Sequence, residues 1–227
     1  MRRPLPFWAQ VAAVVAREWR AELGRPDMVV SFLVYGLLLV LVFTLAVNPL
    51  AVDVRPSAAG LLWIGFFFAA LAGFQRSFAR EREGDAMLGL RAAPLDAAAL
   101  YYGKLLFGSA LLGATELVVA PAFLNLANVR PVSSAGLAGA LALGSAGLAA
   151  VAALVAAVAA SLRSGEALLP LLGLPLLAPL ALGAVRLTDA ALTGALVPAA
   201  LWLRVLVAYD MIFLVLPLVV FPYIAEE

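Results

Sequence analysis

Six apolar stretches, at 29–47, 58–75, 105–127, 136–161, 167–185 and 201–224, each come close to the roughly 20 residues with which an α-helix crosses about 30 Å of hydrocarbon. A chain built this way has few folds open to it, because inside lipid every backbone N–H and C=O must be satisfied within its own segment. No competing soluble core is on offer. Of its 227 residues, 65% are hydrophobic and the mean hydropathy is +1.06, against roughly 45–50% apolar residues in a soluble domain. The expectation is an all-α polytopic membrane protein with a single domain over 1–227.

Turn chemistry separates the stretches: Asn48-Pro49 and Arg55-Pro56-Ser57, then Arg130-Pro131, then Arg163-Ser164-Gly165 with Ser164 as a candidate N-cap. The basic residues give the orientation, since cytoplasmic flanks accumulate Lys and Arg. Six spans with the N-terminus inside place Arg2, Arg3, Arg17, Arg20, Arg25, Arg76, Arg80, Arg82, Arg91, Lys104 and Arg163 on the inner side, and only Arg55, Arg130, Arg186 and Arg204 outside. Both termini are then cytoplasmic. A five-span chain, which would send the C-terminus outside, fits the count less well.

Before the first span, 4–27 reads as an interfacial amphipathic helix rather than a signal peptide, because Arg17, Glu18, Arg20 and Glu22 interrupt any apolar run. Trp8, Val11, Ala12, Val15 and Trp19 share one helical face, with Gln10, Ala13, Arg17 and Arg20 opposite. Two Trp rings on such a face belong at headgroup depth. Glu22 fits imperfectly, close to the apolar side.

The fourth stretch has rows of small residues, Gly136, Ala140 and Gly144, then Ser145, Ala149, Ala153, Ala157 and Ser161, which let helices approach closely. The fifth holds Pro170, Pro175 and Pro179, so a kinked or partly unwound helix is expected, its freed carbonyls covered by neighbours or facing a cavity. Residues 187–198 read as a short re-entrant or interfacial helix on the outer side, with Thr188 as cap and Leu187 and Leu192 as staple.

Between the second and third spans, 76–96 is where the chain meets water for longest. It carries Arg76, Arg80, Glu81, Arg82, Glu83, Asp85, Arg91 and Asp96. A solvated loop is the plain reading. Against it stands internal order: 81–91 can form a short helix with an apolar patch at Met87, Leu88 and Leu90, which Pro94 stops. Asp96 then has the chemistry of an N-cap for a helix starting at Ala97, with Leu95 and Leu100 spaced as a hydrophobic staple.

Two carboxylates fall inside spans, Glu116 in the third and Asp210, beside Tyr209, in the sixth. A charge there costs a few kcal/mol even on insertion scales. Glu116, Tyr209 and Asp210 are therefore candidate intramembrane functional residues, interhelical glue being the equal alternative, and Arg204 is a candidate counter-ion for Asp210. There is no Cys and no His, which removes thiol and imidazole catalysis and His ligation of haem or zinc by this chain. Gly103-Lys104 lacks the upstream Gly and following hydroxyl of a phosphate loop. No catalytic residue and no metal ligand set is assigned; a non-enzymatic chain that draws energy from a partner or an ion gradient is expected.

The order of parts resembles the type 2 ABC exporter permeases, and within them the CcmB family, permease subunits of the haem exporter in bacterial cytochrome c maturation. The residues that carry the resemblance are Phe78-Ala-Arg-Glu-Arg-Glu-Gly84, Ala93-Pro-Leu-Asp96, Tyr102-Gly-Lys-Leu105, Leu168-Leu-Pro-Leu-Leu172 and Ala208-Tyr-Asp-Met-Ile-Phe-Leu214, closing on Ile224-Ala-Glu-Glu227. It implies a multi-pass subunit of the bacterial inner membrane, with haem as candidate substrate and ATP bound by a partner. The implied partners are a CcmA-like ATPase, CcmC-like and CcmD-like membrane subunits, a CcmE-like periplasmic chaperone, a second copy of the chain, and membrane lipid; nucleic acid is not among them. In that scheme Arg80, Glu81, Arg82, Glu83, Gly84, Asp85, Met87, Leu88 and Arg91 form the helix that couples to the ATPase. Two alternatives stay open: a permease of the same architecture for a lipid-linked or glycan substrate, and a carrier driven by an ion gradient through Glu116 and Asp210.

Overall fold

A computed structural model describes residues 5–46, 54–80, 96–161, 165–194 and 199–226, and every element among them is helical. The helices are α1 (Phe7–Gly24), α2 (Asp27–Ala46), α3 (Arg55–Ala79), α4 (Ala97–Leu126), α5 (Ser134–Ser161), α6 (Gly165–Thr193) and α7 (Ala199–Glu226). Five helices are long and apolar enough to cross a membrane, and six spans result if α1 and α2, bent by 74° at Arg25-Pro26, count as one broken crossing. The chain is a polytopic all-α membrane protein.

Its centre is α5, packed against α3, α4, α6 and α7. Every residue from 148 to 157 is buried, the signature of a helix enclosed on all sides. Small side chains make this packing close. A Cβ on Gly144 would lie 2.2 Å from Cη2 of Trp63, and one on Gly147 would lie 2.2 Å from Oδ1 of Asp210. Trp63, fully buried on α3, also donates from Nε1 to Thr188 Oγ1 of α6 at 2.9 Å.

Two tyrosines serve carbonyls next to prolines. Tyr209 donates its hydroxyl to the Leu176 carbonyl, three residues before Pro179, and Tyr102 donates to the Leu214 carbonyl, three before Pro217. Proline removes an N–H and clashes with the preceding turn, so the carbonyls it opens need donors from neighbouring helices. α6 passes through Pro175 and Pro179 as unbroken helix rather than unwinding.

The same continuity corrects the expected short outer helix over 187–198. Residues up to Thr193 extend α6, because Ala190, Ala191 and Leu192 favour helix and the Thr188 hydroxyl oxygen accepts from Trp63 Nε1 instead of capping a new start. Gly194, at φ +82°, ends it; residues 195–198 lie outside the described set. At the start of α4 the predicted cap is present, with Asp96 Oδ1 accepting from the Ala98 N–H at 2.9 Å. Asp96→Ala should lower stability by about 1 kcal/mol, read as a small fall in the thermal midpoint of the detergent-purified protein. An unchanged midpoint would show that the cap adds nothing.

Candidate functional site

Of the nine residues proposed for coupling, Arg80 is described; Glu81, Arg82, Glu83, Gly84, Asp85, Met87, Leu88 and Arg91 lie outside the described residues, as does the staple residue Leu95. The two roots of the segment, Arg80 at the end of α3 and Asp96 at the start of α4, are both held by α1. How α1 does this follows from its register. Gln10, Val14, Glu18 and Glu22 recur every four residues, and all four are buried. The predicted Trp face is present on another side: Trp8 and Trp19 are exposed, as a membrane-interface face requires. Val11 alone of that set turns fully inward.

Glu22, the residue that fitted the amphipathic wheel poorly, is 3% exposed. Its Oε1 accepts from the N–H groups of Met28 and Val29, each at 2.7 Å, so it caps α2 across the α1–α2 bend. Its Oε2 takes Arg80 Nη2 at 2.8 Å. The same guanidinium reaches the Arg25 carbonyl at 3.2 Å and Asp27 Oδ2 at 3.5 Å. One helical turn earlier, Glu18 Oε1 accepts from Lys104 Nζ at 3.1 Å and from Arg17 Nη2 at 2.8 Å. Lys104 is 1% exposed; its ammonium also donates to the Ser77 carbonyl at 2.8 Å and hydroxyl at 3.2 Å, over the Phe78 ring. Gln10 Oε1 completes the row by accepting the Asp96 N–H at 2.8 Å.

The result is a latch. One stripe on α1 takes a cation from the end of α3, a cation from the early turns of α4 and a backbone donor at the root between them. Close approach makes it fit: a Cβ on Gly103 would lie 2.4 Å from Val14 Cγ1, so α1 rests where Gly103 has no side chain. At 30 residues α4 is about 45 Å long, roughly 15 Å more than a 30 Å hydrocarbon layer. Burial by itself raises the Glu18 carboxyl, but the Lys104 ammonium and the Arg17 guanidinium pull harder and leave it below its ordinary value.

In the membrane interior the two carboxyls both reach α5 yet do not meet. Glu116 accepts from the Ser145 hydroxyl, and Asp210 packs on Gly147 with Oδ1 buried and without a hydrogen-bond partner among the described residues. Ser145 and Gly147 are separated by about 3 Å of rise but roughly 200° of rotation, so the pair addresses different sides of α5. Arg204 does not neutralise Asp210: it is exposed and forms no ion pair with it. Six positions along a helix put the two on different faces. Tyr209 stacks on Phe213 and gives its hydroxyl to the Leu176 carbonyl of α6.

Sequence comparison places these features among known proteins. The model of the family described as CcmB protein matches residues 9–225. Heme exporter protein B of Rhodobacter capsulatus is 28% identical over 167 residues, which cover 74% of this chain and 77% of the relative. Heme exporter protein B of Pseudomonas aeruginosa is 28% identical over 198 residues, covering 86% and 88%. With the match running through all seven helices, from the first turn of α1 to the last turn of α7, the chain belongs to the CcmB family.

Proposed function

We propose that this chain is the membrane permease subunit of an ABC-type complex for haem export, or haem release, in c-type cytochrome biogenesis, and that it couples ATP hydrolysis by a partner to movement of the membrane helices. The family match over 9–225, with relatives named as heme exporters, carries the assignment. The latch supports the coupling role. A segment rooted at Arg80 and Asp96 cannot rock without disturbing Glu22, Glu18 and Lys104, and through them α1, α2, α3 and α4. The chain then works in the bacterial inner membrane with both termini cytoplasmic. Its ATPase is CcmA-like, it is paired with a second copy, and it assembles with CcmC-like and CcmD-like subunits to serve a CcmE-like chaperone. It catalyses no reaction itself.

Gly84→Asp or Met87→Asp should abolish co-purification of the ATPase subunit and maturation of c-type cytochromes while membrane insertion is retained. Normal haem-stained cytochrome levels with either variant would reject the coupling assignment. A second reading, a gradient-driven carrier, is favoured by Asp210 Oδ1, buried without a hydrogen-bond partner among the described residues. Substrate movement driven by a pH gradient with the ATPase absent, and lost in Asp210→Asn, would select it.

A further inference from the structure

Three tyrosine hydroxyls donate to backbone carbonyls of neighbouring helices: Tyr101 to Ala150 of α5, Tyr102 to Leu214 of α7 and Tyr209 to Leu176 of α6. The receiving helices differ. α5 contains no proline, whereas Leu214 stands three residues before Pro217, and Leu176 lies between Pro175 and Pro179. The turn ahead of a proline lacks one ladder hydrogen bond and is crowded by the ring, and such turns are where helices bend. Tyr102 and Tyr209 thus each grip a turn at which the neighbouring helix can bend, and Tyr101 grips one that no proline interrupts.

The two grips run in series from the latch. Tyr102 belongs to the end of α4 that α1 holds: its ring meets Phe7 edge-on with centroids 6.3 Å apart, Val14 fills the space beside Gly103, and Glu18 takes Lys104. From there its hydroxyl reaches α7 at Leu214. Five residues earlier on α7, about 7.5 Å of rise, Tyr209 is stacked on Phe213 at 4.5 Å and reaches α6 at Leu176. Leu176 lies near the middle of α6, and the packing follows the same order, α4 on α7 and α7 on α6.

We propose that Tyr102 and Tyr209 are positioning residues that relay movement of the latch into α6. Displacement of α4 carries the turn of α7 ahead of Pro217, and α7 carries the turn of α6 ahead of Pro179. The relay rests on the coupling role proposed above and specifies how motion received beside α1 reaches the middle of the bundle. A row of contacts becomes a path only when a change at one end biases the other, and that is what the experiment measures.

The test uses the full chain with its ATPase subunit, in cells for haem-stained cytochrome and purified for ATP turnover and KM. Because the chain has no Cys, Leu106→Cys on α4 and Leu182→Cys on α6, both at exposed positions, can carry spin labels whose separation is read with and without ATP and vanadate. In the otherwise unchanged chain the separation should shift on trapping. Tyr102→Phe or Tyr209→Phe should abolish the shift and lower cytochrome maturation roughly three- to tenfold, the reach of one interhelical hydrogen bond in a membrane, with ATP turnover and KM unchanged. The double variant should fall no lower than the worse single one, since either break severs the same path. Tyr101→Phe, which removes a bond of the same kind from α5, should keep both the shift and maturation. No shift in the unchanged chain, a shift that persists in both single variants, an equal loss in Tyr101→Phe, or losses that multiply in the double variant would overturn the relay and leave the coupling role standing. Maturation that does not depend on the ATPase subunit would reject the coupling role and the relay together.

Discussion

Lys104→Met will lower the stability of the protein by on the order of 3–5 kcal/mol, the usual penalty for leaving one partner of a buried ion pair behind. Glu18 keeps Arg17, which is 41% exposed at its side chain, but loses the enclosed ammonium, and the Ser77 carbonyl and hydroxyl lose their donor. The double variant Glu18→Leu, Lys104→Met should recover most of the loss, since replacing both charges with apolar groups of similar size is often neutral. Thermal midpoints of the three proteins decide it; a double variant no better than the single one would refute the pairing. The pH dependence gives an independent check. A carboxyl lowered on folding contributes stability above its unfolded pKa, and that contribution disappears as pH falls through the folded value. Glu18 is such a group. Wild type should therefore hold its midpoint from neutrality to about pH 4.5 and decline below, while Lys104→Met, already without the ion pair, should decline less over that acid limb.

Gly144→Ala should be the second most damaging of the changes considered, at about 1–3 kcal/mol for a single methyl group. The added carbon would fall 2.2 Å from Trp63 Cη2 on one side and 3.0 Å from Ala184 Cβ on the other, so neither α3 nor α6 can give way alone. Trp63→Phe withdraws the outer edge of the indole but strands the fully buried Thr188 hydroxyl. Each single variant should be less stable than wild type. Their combination should be more stable than the sum of the two losses predicts, a coupling of the size expected for residues in direct contact. Strict additivity in unfolding midpoints would show that the ring and the glycine do not share this space.

What could be read from the chain alone was whatever is local. Asp96 was legible as a cap because its side chain serves an N–H two residues on, and helix lengths were legible because lipid demands them. The latch was not. Glu18 and Lys104 are 86 residues apart, Arg80 and Glu22 58 apart, and charges of either sign near a membrane surface ordinarily face water. One trace was present: Glu22 disagreed with an otherwise orderly amphipathic wheel. The disagreement arises because α1 has two faces to satisfy, an outer one with Trp8 and Trp19 and an inner one with Gln10, Val14, Glu18 and Glu22. The error at 187–198 is of the opposite kind, a local cap pattern at Thr188 overruled by a tertiary partner, Trp63, 125 residues earlier in the chain.

The spacing of the latch also sets an order of events at the ribosome. The carboxyls of α1 emerge first, yet Glu22 must await Arg80 and Glu18 must await Lys104, a further 86 residues of synthesis. At about 5–20 residues per second that interval is roughly 4–17 s. For its duration the Trp side of α1 has the bilayer surface, but Glu18 has only Arg17 and Glu22 only the Met28 and Val29 N–H groups, so α1 is fully seated only when α4 arrives to complete the joint, with α5, α6 and α7 still to be made.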